Sequence, residues 1–211
     1  MLNIAVLVSG GGTNLQALID AQSSGKIKGG QIVLVVSSNP SAYALERAKK
    51  ANIPTKVLRR KDFKTQEDYD SALLGLLESY QISLVVLAGF LTIISENVVS
   101  HYPNRIMNIH PSLIPSFCGE GYYGLRVHEE ALKRGVKVTG ATVHFVNEVC
   151  DGGPIILQKA VAVQQGDTPQ TLQRRVMEQA EWELLPRAVS LFCEGRLTVE
   201  NGIVTIKGEE Q

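Results

Sequence analysis

An asparagine and a histidine two residues apart, Asn108 and His110, stand in the segment Met-Asn-Ile-His-Pro-Ser-Leu-Ile-Pro, residues 107–115. On an extended segment such side chains share one face, because successive side chains alternate. Pro111 and Pro115 disfavour helix here, since proline fixes φ and restricts the residue before it. Histidine titrates near neutrality and an amide can stabilise developing negative charge, so the pair indicates acyl-transfer chemistry. A structural histidine before a proline turn is the alternative that these residues leave open.

An imidazole transfers protons best when a carboxylate orients it and raises its pKa towards the working pH. Asp151 is the candidate, because it follows a predicted strand and precedes Gly152 and Gly153 in a compact turn. An ordinary Asp-Gly turn is the alternative. A metal hydrolase that uses His110, His144 and Asp151 is a rival from another class. His144 lies on an alternating strand that is more typical of a core position, so we predict no metal site.

The first apolar run leads into a glycine-rich loop, Ser-Gly-Gly-Gly-Thr-Asn, at residues 9–14. Backbone amides at the start of the helix that follows suit a phosphate, and Gly12, Thr13 and Asn14 are the candidate contacts. The loop departs from the dinucleotide fingerprint at Leu15 and lacks the Gly-Lys-Ser/Thr of a P-loop. It therefore predicts a phosphate monoester ligand rather than NAD or ATP, with a plain tight turn as the alternative.

Strand-like and helix-like segments alternate through the first hundred residues, which predicts βαβ units and a parallel sheet. Ligands bind at the carboxyl ends of strands in such sheets, which places residues 9–14, 89–94 and 108–110 near one another if their strands are neighbours. The apolar run at residues 91–94 follows one of these strand ends. On its own it is more typical of core than of a slot for a flat ligand.

The second half of the chain is less regular. Residues 117–124 contain three glycines and paired tyrosines, which indicates a mobile surface loop that could serve as a lid. Residues 137–146 and 155–163 are predicted strands of a hairpin-like antiparallel extension. A long C-terminal helix is predicted over residues 168–194, broken near Pro186, and a small polar hairpin follows it.

The composition is that of a soluble globular protein with a substantial core: 211 residues, 44% hydrophobic and 20% charged. The formal net charge of zero favours a small soluble ligand over nucleic acid or an anionic membrane. No apolar run approaches the roughly 18 to 20 residues that span a bilayer, and no charged region precedes the first strand, so we expect no membrane span and no signal peptide. Cys118, Cys150 and Cys193 are an odd number without C-x-x-C spacing, which predicts a reducing, cytoplasmic location.

Four motifs together carry a family resemblance: Ser-Gly-Gly-Gly-Thr-Asn-Leu-Gln, Leu-Ala-Gly-Phe, Asn-Ile-His-Pro-Ser-Leu-Ile-Pro, and Val-His-Phe-Val with Asp-Gly-Gly-Pro-Ile-Ile-Leu-Gln. Across essentially the whole chain they resemble the folate-dependent formyltransferases, above all the branch that formylates glycinamide ribonucleotide in purine biosynthesis. The resemblance implies an α/β, doubly wound, mostly parallel Rossmann-like formyltransferase fold with an antiparallel C-terminal extension. It implies one domain, 1–211, with a phosphate-binding half at about 1–100 and a catalytic and folate-binding half at about 101–211.

The resemblance also implies the reaction, in which 10-formyltetrahydrofolate is the cosubstrate and glycinamide ribonucleotide the acceptor. Asn108 would donate to the oxyanion, His110 would move the proton, and Asp151 would raise the pKa of His110 and organise water. The implied substrate-binding residues are Gly12, Thr13, Asn14 and Glu181. The implied cofactor-binding residues are Gln66, Leu91, Thr92, Ile93, Ile94, Asn108 and Asp151.

Two positions depart from the family pattern, because Thr92 and Gln66 stand where relatives often have basic residues. The His-Pro-Ser-Leu element is shared with methionyl-tRNA formyltransferase and formyltetrahydrofolate hydrolase, so it does not select the substrate. The phosphate loop and the length favour the ribonucleotide branch. A hydrolase-like deformylase and a non-catalytic nucleotide-binding regulator remain the alternatives, and the oligomeric state is left as monomer or homodimer.

Overall fold

Strands and helices alternate through most of the chain in the computed structural model, which describes residues 1–208. The strands are β1 (Leu2–Val8), β2 (Gly30–Ser37), β3 (Thr55–Val57), β4 (Ile82–Leu87), β5 (Ile106–His110), β6 (Val138–Phe145), β7 (Ile155–Ala162), β8 (Leu197–Glu200) and β9 (Ile203–Ile206). The α-helices are α1 (Thr13–Ser23), α2 (Tyr43–Lys50), α3 (Gln66–Ser79), α4 (Glu96–His101), α5 (Leu125–Arg134), α6 (Pro169–Val176) and α7 (Trp182–Cys193). A 3₁₀ turn spans Arg60–Asp62.

Seven strands form the main sheet in the order β3-β2-β1-β4-β5-β6-β7. Neighbouring strands from β3 to β5 are parallel, whereas β6 runs antiparallel to both β5 and β7. The order of strand addition reverses between β1 and β4, and in such sheets ligands bind at the carboxyl ends beside this reversal. The predicted doubly wound, mostly parallel sheet with an antiparallel extension is therefore confirmed.

Successive residues of β1 are buried on opposite sides of the sheet. Ile4, Val6 and Val8 belong to a cluster that also contains the inner faces of α1, α2, α6 and α7. Ala5 and Leu7 belong to a second cluster that contains residues of α3 and α4. Helices thus cover both faces of the strand, which explains why β1 is a continuous apolar run rather than an alternating one.

The starts of α3 and α4 are fixed by local hydrogen bonds. The Thr65 hydroxyl accepts from the backbone N–H of Asp68, whose carboxylate accepts in return from the N–H of Thr65. At α4 the Ser95 hydroxyl accepts from the N–H of Val98. Such caps satisfy amides that have no partner inside the helix and so define where the helix begins. They matter because Gln66 stands at the first of these starts and residues 91–94 precede the second.

The C-terminal helical region corrects one prediction. The chain is helical through Pro186, which lies inside α7, and the irregularity comes earlier, in a π-helical turn at Met177–Glu181. There the N–H of Trp182 donates to the carbonyl of Met177, five residues back. Pro186 has no N–H to donate to the carbonyl of Trp182, four residues earlier. Trp182 directly follows the π-helical turn, where the regular i to i−4 hydrogen bonds are already interrupted, so the proline does not end the helix. The predicted break near Pro186 is therefore wrong.

The small hairpin predicted after the C-terminal helix is confirmed. Strands β8 and β9 pair antiparallel as the predicted hairpin. The three cysteines are free thiols. No helix within residues 1–208 combines the length and apolar character needed to cross a bilayer. On either side of residue 100, β4 and β5 pair in the same sheet; the division of the chain into two halves stays a prediction.

Candidate active site

The end of β5 brings Asn108 and His110 to one carboxylate. The amide nitrogen Nδ2 of Asn108 lies 3.4 Å from Oδ1 of Asp151, and Nδ1 of His110 lies 3.4 Å from Oδ2 of the same group. Both side chains lie on the same face of the strand, as the spacing of two predicts. Asp151 comes from the turn that links β6 to β7, so these three residues meet only because β6 pairs with β5.

His110 is buried, with 4% of its surface exposed. Its Nε2 lies 2.9 Å from the carbonyl oxygen of Phe117, so both ring nitrogens face acceptors. Burial lowers the pKa of His110, and this effect outweighs the opposing influence of Asp151 and of the Phe117 carbonyl. The expectation that Asp151 raises the pKa holds for its own contribution, but the net direction is downward because desolvation disfavours the imidazolium. His110 is therefore a neutral imidazole. When it takes up a second proton, Asp151 and the Phe117 carbonyl can accept hydrogen bonds from its two N–H groups.

His144 supports the same cluster from β6. Its Nδ1 lies 2.7 Å from the carbonyl oxygen of Phe145, and its Nε2 lies 3.2 Å from Nδ2 of Asn108 and 3.5 Å from Oδ1 of Asp151. The side chain is buried, as the core interpretation of this residue predicts. A carbonyl needs a donor, so Nδ1 carries a proton, and the Asn108 amide nitrogen lies against Nε2 on the other side of the ring. His144 thereby orients the Asn108 amide.

The Asp151 carboxylate is ionised. Burial acts to raise its pKa, but the neighbouring His144 and His110 and the N–H of Gly119 together lower it. The Gly119 N–H donates to Oδ2 over 2.9 Å. Asp151 itself has a left-handed backbone, φ 54°, in the turn that projects its side chain inward. A fixed negative charge beside a neutral imidazole is the arrangement that general acid-base catalysis requires.

Gly153 allows this turn to approach the sheet. A Cβ at this position would overlap the carbonyl oxygen of Phe145, so we expect Gly153→Ala to lower the free energy of unfolding by about 2 to 4 kcal/mol. Gly75→Ala is the control: its Cβ meets open space in the exposed middle of α3, and alanine there favours helix by up to about 1 kcal/mol. Thermal melts compare the two variants, and equal melting temperatures would contradict the close approach.

Residues 117–124 lie over the cluster and are attached to it twice. The Phe117 carbonyl accepts from His110, and the Gly119 N–H donates to Asp151. Phe117 has a left-handed φ of 50°, and its ring lies against Tyr122 with centroids 6.4 Å apart. The structure thus places the segment at the site, as a lid would be, while its mobility stays a prediction.

The glycine loop lies at the carboxyl end of β1, at the same edge of the sheet as Asn108 and His110, with β4 between β1 and β5. No side chain caps α1, whose preceding residue Gly12 has φ 72°, so the first amides of the helix are available to an anion. A Cβ at Gly12 would lie 2.8 Å from Cα of Ala44 in α2. The Ser9 hydroxyl accepts from the backbone N–H of Leu91 over 2.9 Å, which ties the loop to residues 91–94.

The predicted substrate residues from distant parts of the chain meet at the π-helical turn. Asn14 Nδ2 donates to Oε2 of Glu181 over 2.7 Å, and the Thr13 hydroxyl lies 3.7 Å from the sulfur of Met177. Burial raises the pKa of Glu181 to about 7, against the opposing effect of the bond from Asn14. Sequence reasoning missed Met177 and the π-helical geometry, because nothing local marks a widened turn.

We expect Glu181→Gln to stabilise the protein above neutral pH. A carboxyl whose pKa rises from 4.5 to about 7 on folding contributes stability that is complete below about 4.5 and lost as the pH rises through 7. Glutamine cannot ionise, so the difference in unfolding free energy between variant and wild type is expected to grow by roughly 3 kcal/mol between pH 4.5 and 8. Urea denaturation at both pH values measures it, and a pH-independent difference would contradict the raised pKa.

Variant and wild type must be compared at each pH, because a second buried group changes the stability of the wild type with pH in the opposite direction. His128 on α5 is fully buried, and burial together with the neighbouring His110 lowers its pKa to about 4. Neither of its ring nitrogens has a hydrogen-bond partner among residues 1–208. The stability that His128 contributes is lost as the pH falls from 6.5 to 4. Because both the wild type and Glu181→Gln contain His128, this loss cancels when the two proteins are compared at the same pH. The sequence interpretation did not single out His128.

The apolar run after β4 is largely exposed. Leu91 and Ile93 are 64% and 78% exposed, whereas Thr92 and Ile94 are half-buried. The prediction that this run is buried in the core is therefore wrong for Leu91 and Ile93. Two large apolar side chains beside a polar cluster form a platform suited to a flat ligand.

Gln66, at the start of α3, is linked to this run without being part of it. Its Nε2 donates to Oδ1 of the buried Asp70 over 2.7 Å, and the Ser95 hydroxyl donates to Oδ2 of Asp70 over 2.6 Å. Ser95 directly follows Ile94. The Gln66 carbonyl in turn accepts from Nε of Arg60 over 2.7 Å, so both polar atoms of the Gln66 side chain are engaged by protein groups.

No group of three or more His, Cys, Asp or Glu in the described part of the chain could hold a metal ion. His110, His144 and Asp151 do come together, but each imidazole also directs a ring nitrogen at a backbone carbonyl. The three residues therefore form a hydrogen-bonded cluster rather than a set of convergent ligands.

Comparisons with known proteins agree with this geometry. The formyl transferase family profile matches residues 2–189. Phosphoribosylglycinamide formyltransferase of Escherichia coli (strain K12) is 43% identical over 208 residues, which cover 99% of this chain and 95% of that protein. The chloroplastic phosphoribosylglycinamide formyltransferase of Arabidopsis thaliana is 37% identical over 209 residues, 98% of this chain and 71% of that protein.

Solved structures show the same likeness. Glycinamide ribonucleotide transformylase 1 from Symbiobacterium toebii superposes with a TM-score of 0.91 at 43% identity, over 98% of this chain and 94% of that one. A formyltetrahydrofolate deformylase from Pseudomonas syringae pv. tomato superposes with a TM-score of 0.87 at 26% identity, over 97% of this chain and 65% of that one. The chain therefore belongs to the formyl transferase family, in its phosphoribosylglycinamide formyltransferase branch.

Proposed function

We propose that this protein transfers the formyl group of 10-formyltetrahydrofolate to the amino group of 5′-phosphoribosylglycinamide, giving N-formylglycinamide ribonucleotide and tetrahydrofolate in purine biosynthesis. The observation that carries the proposal is the convergence of Asn108 and His110 on the Asp151 carboxylate, at the same edge of the sheet as the glycine loop. The 43% identity to the Escherichia coli enzyme supports this pair of substrates.

The acceptor substrate would bind between the glycine loop and the π-helical turn. Its phosphate lies at the start of α1, where Gly12 and the uncapped amides of Thr13 and Asn14 provide donors and the positive end of the helix dipole. The Asn14 side chain holds Glu181 in place. The Glu181 carboxylate then accepts hydrogen bonds from the glycinamide or ribose part of the substrate.

The folate would bind across the exposed platform after β4. Leu91 and Ile93 offer apolar surface to the flat pteridine and benzoyl rings, and Thr92 and Ile94 complete the segment. The turn around Asp151 closes the other side. This arrangement places the formyl group at N10 towards the carboxyl end of β5, where Asn108 and His110 stand.

In the reaction, the amino nitrogen of the acceptor attacks the formyl carbon and the carbonyl oxygen becomes negative. The Asn108 amide stabilises this oxyanion by giving up its long contact with Asp151 and keeping the shorter one with His144. Neutral His110 takes the proton of the attacking amine and delivers it to N10 of the folate as the bond from N10 to the formyl carbon breaks. Asp151 stabilises the imidazolium that forms in between and organises water.

Both nitrogens of His110 have protein partners, so proton transfer to a substrate requires one of them to be released. The Phe117 carbonyl is the partner that lies on the surface segment 117–124. Binding of the folate would therefore displace this carbonyl, and the ring proton would then lie on Nδ1, facing Asp151, which leaves Nε2 free to accept the proton of the amine. This step gives residues 117–124 the role of a lid.

The test is a formyl-transfer assay with purified protein, 10-formyltetrahydrofolate and glycinamide ribonucleotide, run beside a control in which only water can accept the formyl group. Transfer that depends on the ribonucleotide supports the proposal. Formate release at the same rate without it would favour a deformylase, the activity that the Pseudomonas structure carries in its name. No turnover with either acceptor would favour a non-catalytic nucleotide-binding regulator. The cytoplasmic location and the choice between monomer and homodimer stay predictions.

A further inference from the structure

One guanidinium near the folate platform has no acidic partner. Arg60 donates from Nε to the side-chain amide oxygen of Gln66 over 2.7 Å and from Nη1 to the backbone carbonyl of Phe63 over 3.0 Å. No carboxylate pairs with it among residues 1–208, whereas its neighbour Arg59 forms an ion pair with Asp62 over 2.6 Å. Arg60 is half-buried. It is thus a pre-oriented cation whose remaining terminal nitrogen is available to a ligand.

A short relay of hydrogen bonds ties this cation to the platform. Gln66 connects Arg60 to the buried Asp70, and Asp70 also accepts from Ser95, the residue that follows the platform. Each bond in the relay is between 2.6 and 2.7 Å long. The relay fixes Arg60 at the α3 side of residues 91–94, because Asp70 lies on α3 and is 3% exposed.

The folate named under the proposed function ends in a glutamate with two carboxylates. Its rings need apolar surface and its tail needs positive charge, and the platform itself contributes neither a lysine nor an arginine. A guanidinium held by two neutral acceptors has no carboxylate partner of its own, and its remaining terminal nitrogen can donate a charge-assisted hydrogen bond to a carboxylate of the ligand. Arg60 is a cation that two hydrogen bonds orient and that the relay ties to the platform.

We propose that Arg60 binds the glutamate carboxylates of the folate cosubstrate and that Gln66 is the positioning residue that orients it. The inference rests on the proposed function for the identity of the ligand. It also assigns Gln66 a role in folate binding that acts through Arg60 and not by direct contact.

The experiment measures binding by calorimetry with two probes, tetrahydrofolate and tetrahydropteroate, which lacks the glutamate. Arg60→Gln is expected to weaken binding of tetrahydrofolate by about 10- to 100-fold, the usual range for a lost hydrogen bond to a charged group. It is expected to leave tetrahydropteroate unchanged. Gln66→Leu keeps the cation but removes its orientation, so we expect a smaller loss, again confined to tetrahydrofolate.

Lys61→Gln is the matched control, because it removes the same charge from the next, exposed residue of the same 3₁₀ turn. It is expected to bind both probes as wild type does. Equal loss for both probes in Arg60→Gln would overturn the proposal, since a purely structural role would produce that result. Unchanged binding of tetrahydrofolate in Arg60→Gln, or an equal loss in Lys61→Gln, would overturn it as well.

The outcome is independent of the transfer assay. If wild-type protein fails to formylate glycinamide ribonucleotide but Arg60 still discriminates between the two probes, the proposed function fails and the assignment of Arg60 stands. If transfer occurs and Arg60→Gln shows no discrimination, the assignment of Arg60 fails alone.

Discussion

Replacing His110 with alanine is expected to lower kcat by about 10²- to 10⁴-fold, the usual contribution of a positioned general acid-base group. The imidazole is the neutral group beside the ionised Asp151, so its loss leaves the attacking amine and N10 without a proton carrier. KM values for both substrates are expected to change little, because the glycine loop and residues 91–94 are untouched. Initial rates at saturating substrate measure the effect, and circular dichroism confirms the fold.

His101→Ala is the matched control for this change. His101 is exposed on α4, and its ring contacts the carbonyl of Asn97 in its own helix, so normal turnover is expected. Asn108→Ala is the companion variant and is expected to lose about 10²- to 10³-fold in kcat, as for other oxyanion donors. Near-normal turnover in His110→Ala would show that the proton passes through another group and would remove His110 from the mechanism.

Neutralising Asp151 with asparagine is expected to lower kcat by about 10⁴-fold, as when the carboxylate that orients a catalytic histidine is made an amide elsewhere. One carboxylate accepts from Gly119, faces Nδ1 of His110 and contacts the Asn108 amide. An asparagine has one acceptor and one donor in place of two acceptors, so at least one of these contacts becomes repulsive. Steady-state kinetics of a variant shown to be folded test this.

The pH profile distinguishes an electrostatic role of Asp151 from a merely structural one. The carboxylate acts to raise the pKa of His110, so its removal lowers that pKa further. The acid limb of the residual pH–rate profile is expected to move to lower pH in Asp151→Asn. Asp20→Asn is the control, because Asp20 is exposed on α1 and accepts from Gln16. An unshifted acid limb would argue against a direct interaction between Asp151 and His110.

Local patterns predicted the backbone setting of Asn108 and His110 correctly, while their catalytic roles stay predictions. Asn108 and His110 lie two apart on a real strand, and the glycine loop does join β1 to α1. These features follow from backbone rules that act within a few residues: alternation along a strand, the restrictions of proline and the freedom of glycine. The parallel sheet follows from the alternation of strands and helices, which extends that local information to the whole fold.

Other features depended on contacts between distant segments. The apolar run at residues 91–94 is exposed where its composition alone suggests core, because the burial of a short run is decided by what packs on it. The pKa of His110 is lowered and not raised, because desolvation by burial exceeds the attraction of Asp151. The helix irregularity lies at Met177–Glu181 and not at Pro186. No window of the sequence contains the information needed for these three outcomes.

The sequence by itself determined the residue types of the chemistry, the order of the elements and, through the family resemblance, the reaction. Only the tertiary structure decided which groups meet: Asp151 reaches His110 because β6 pairs with β5, and Asn14 reaches Glu181 across 167 positions of chain. The physical reason is the distance along the chain over which each interaction acts. Backbone preferences act over a few residues, whereas burial, charge and hydrogen bonding in the site depend on segments that the sheet topology brings together.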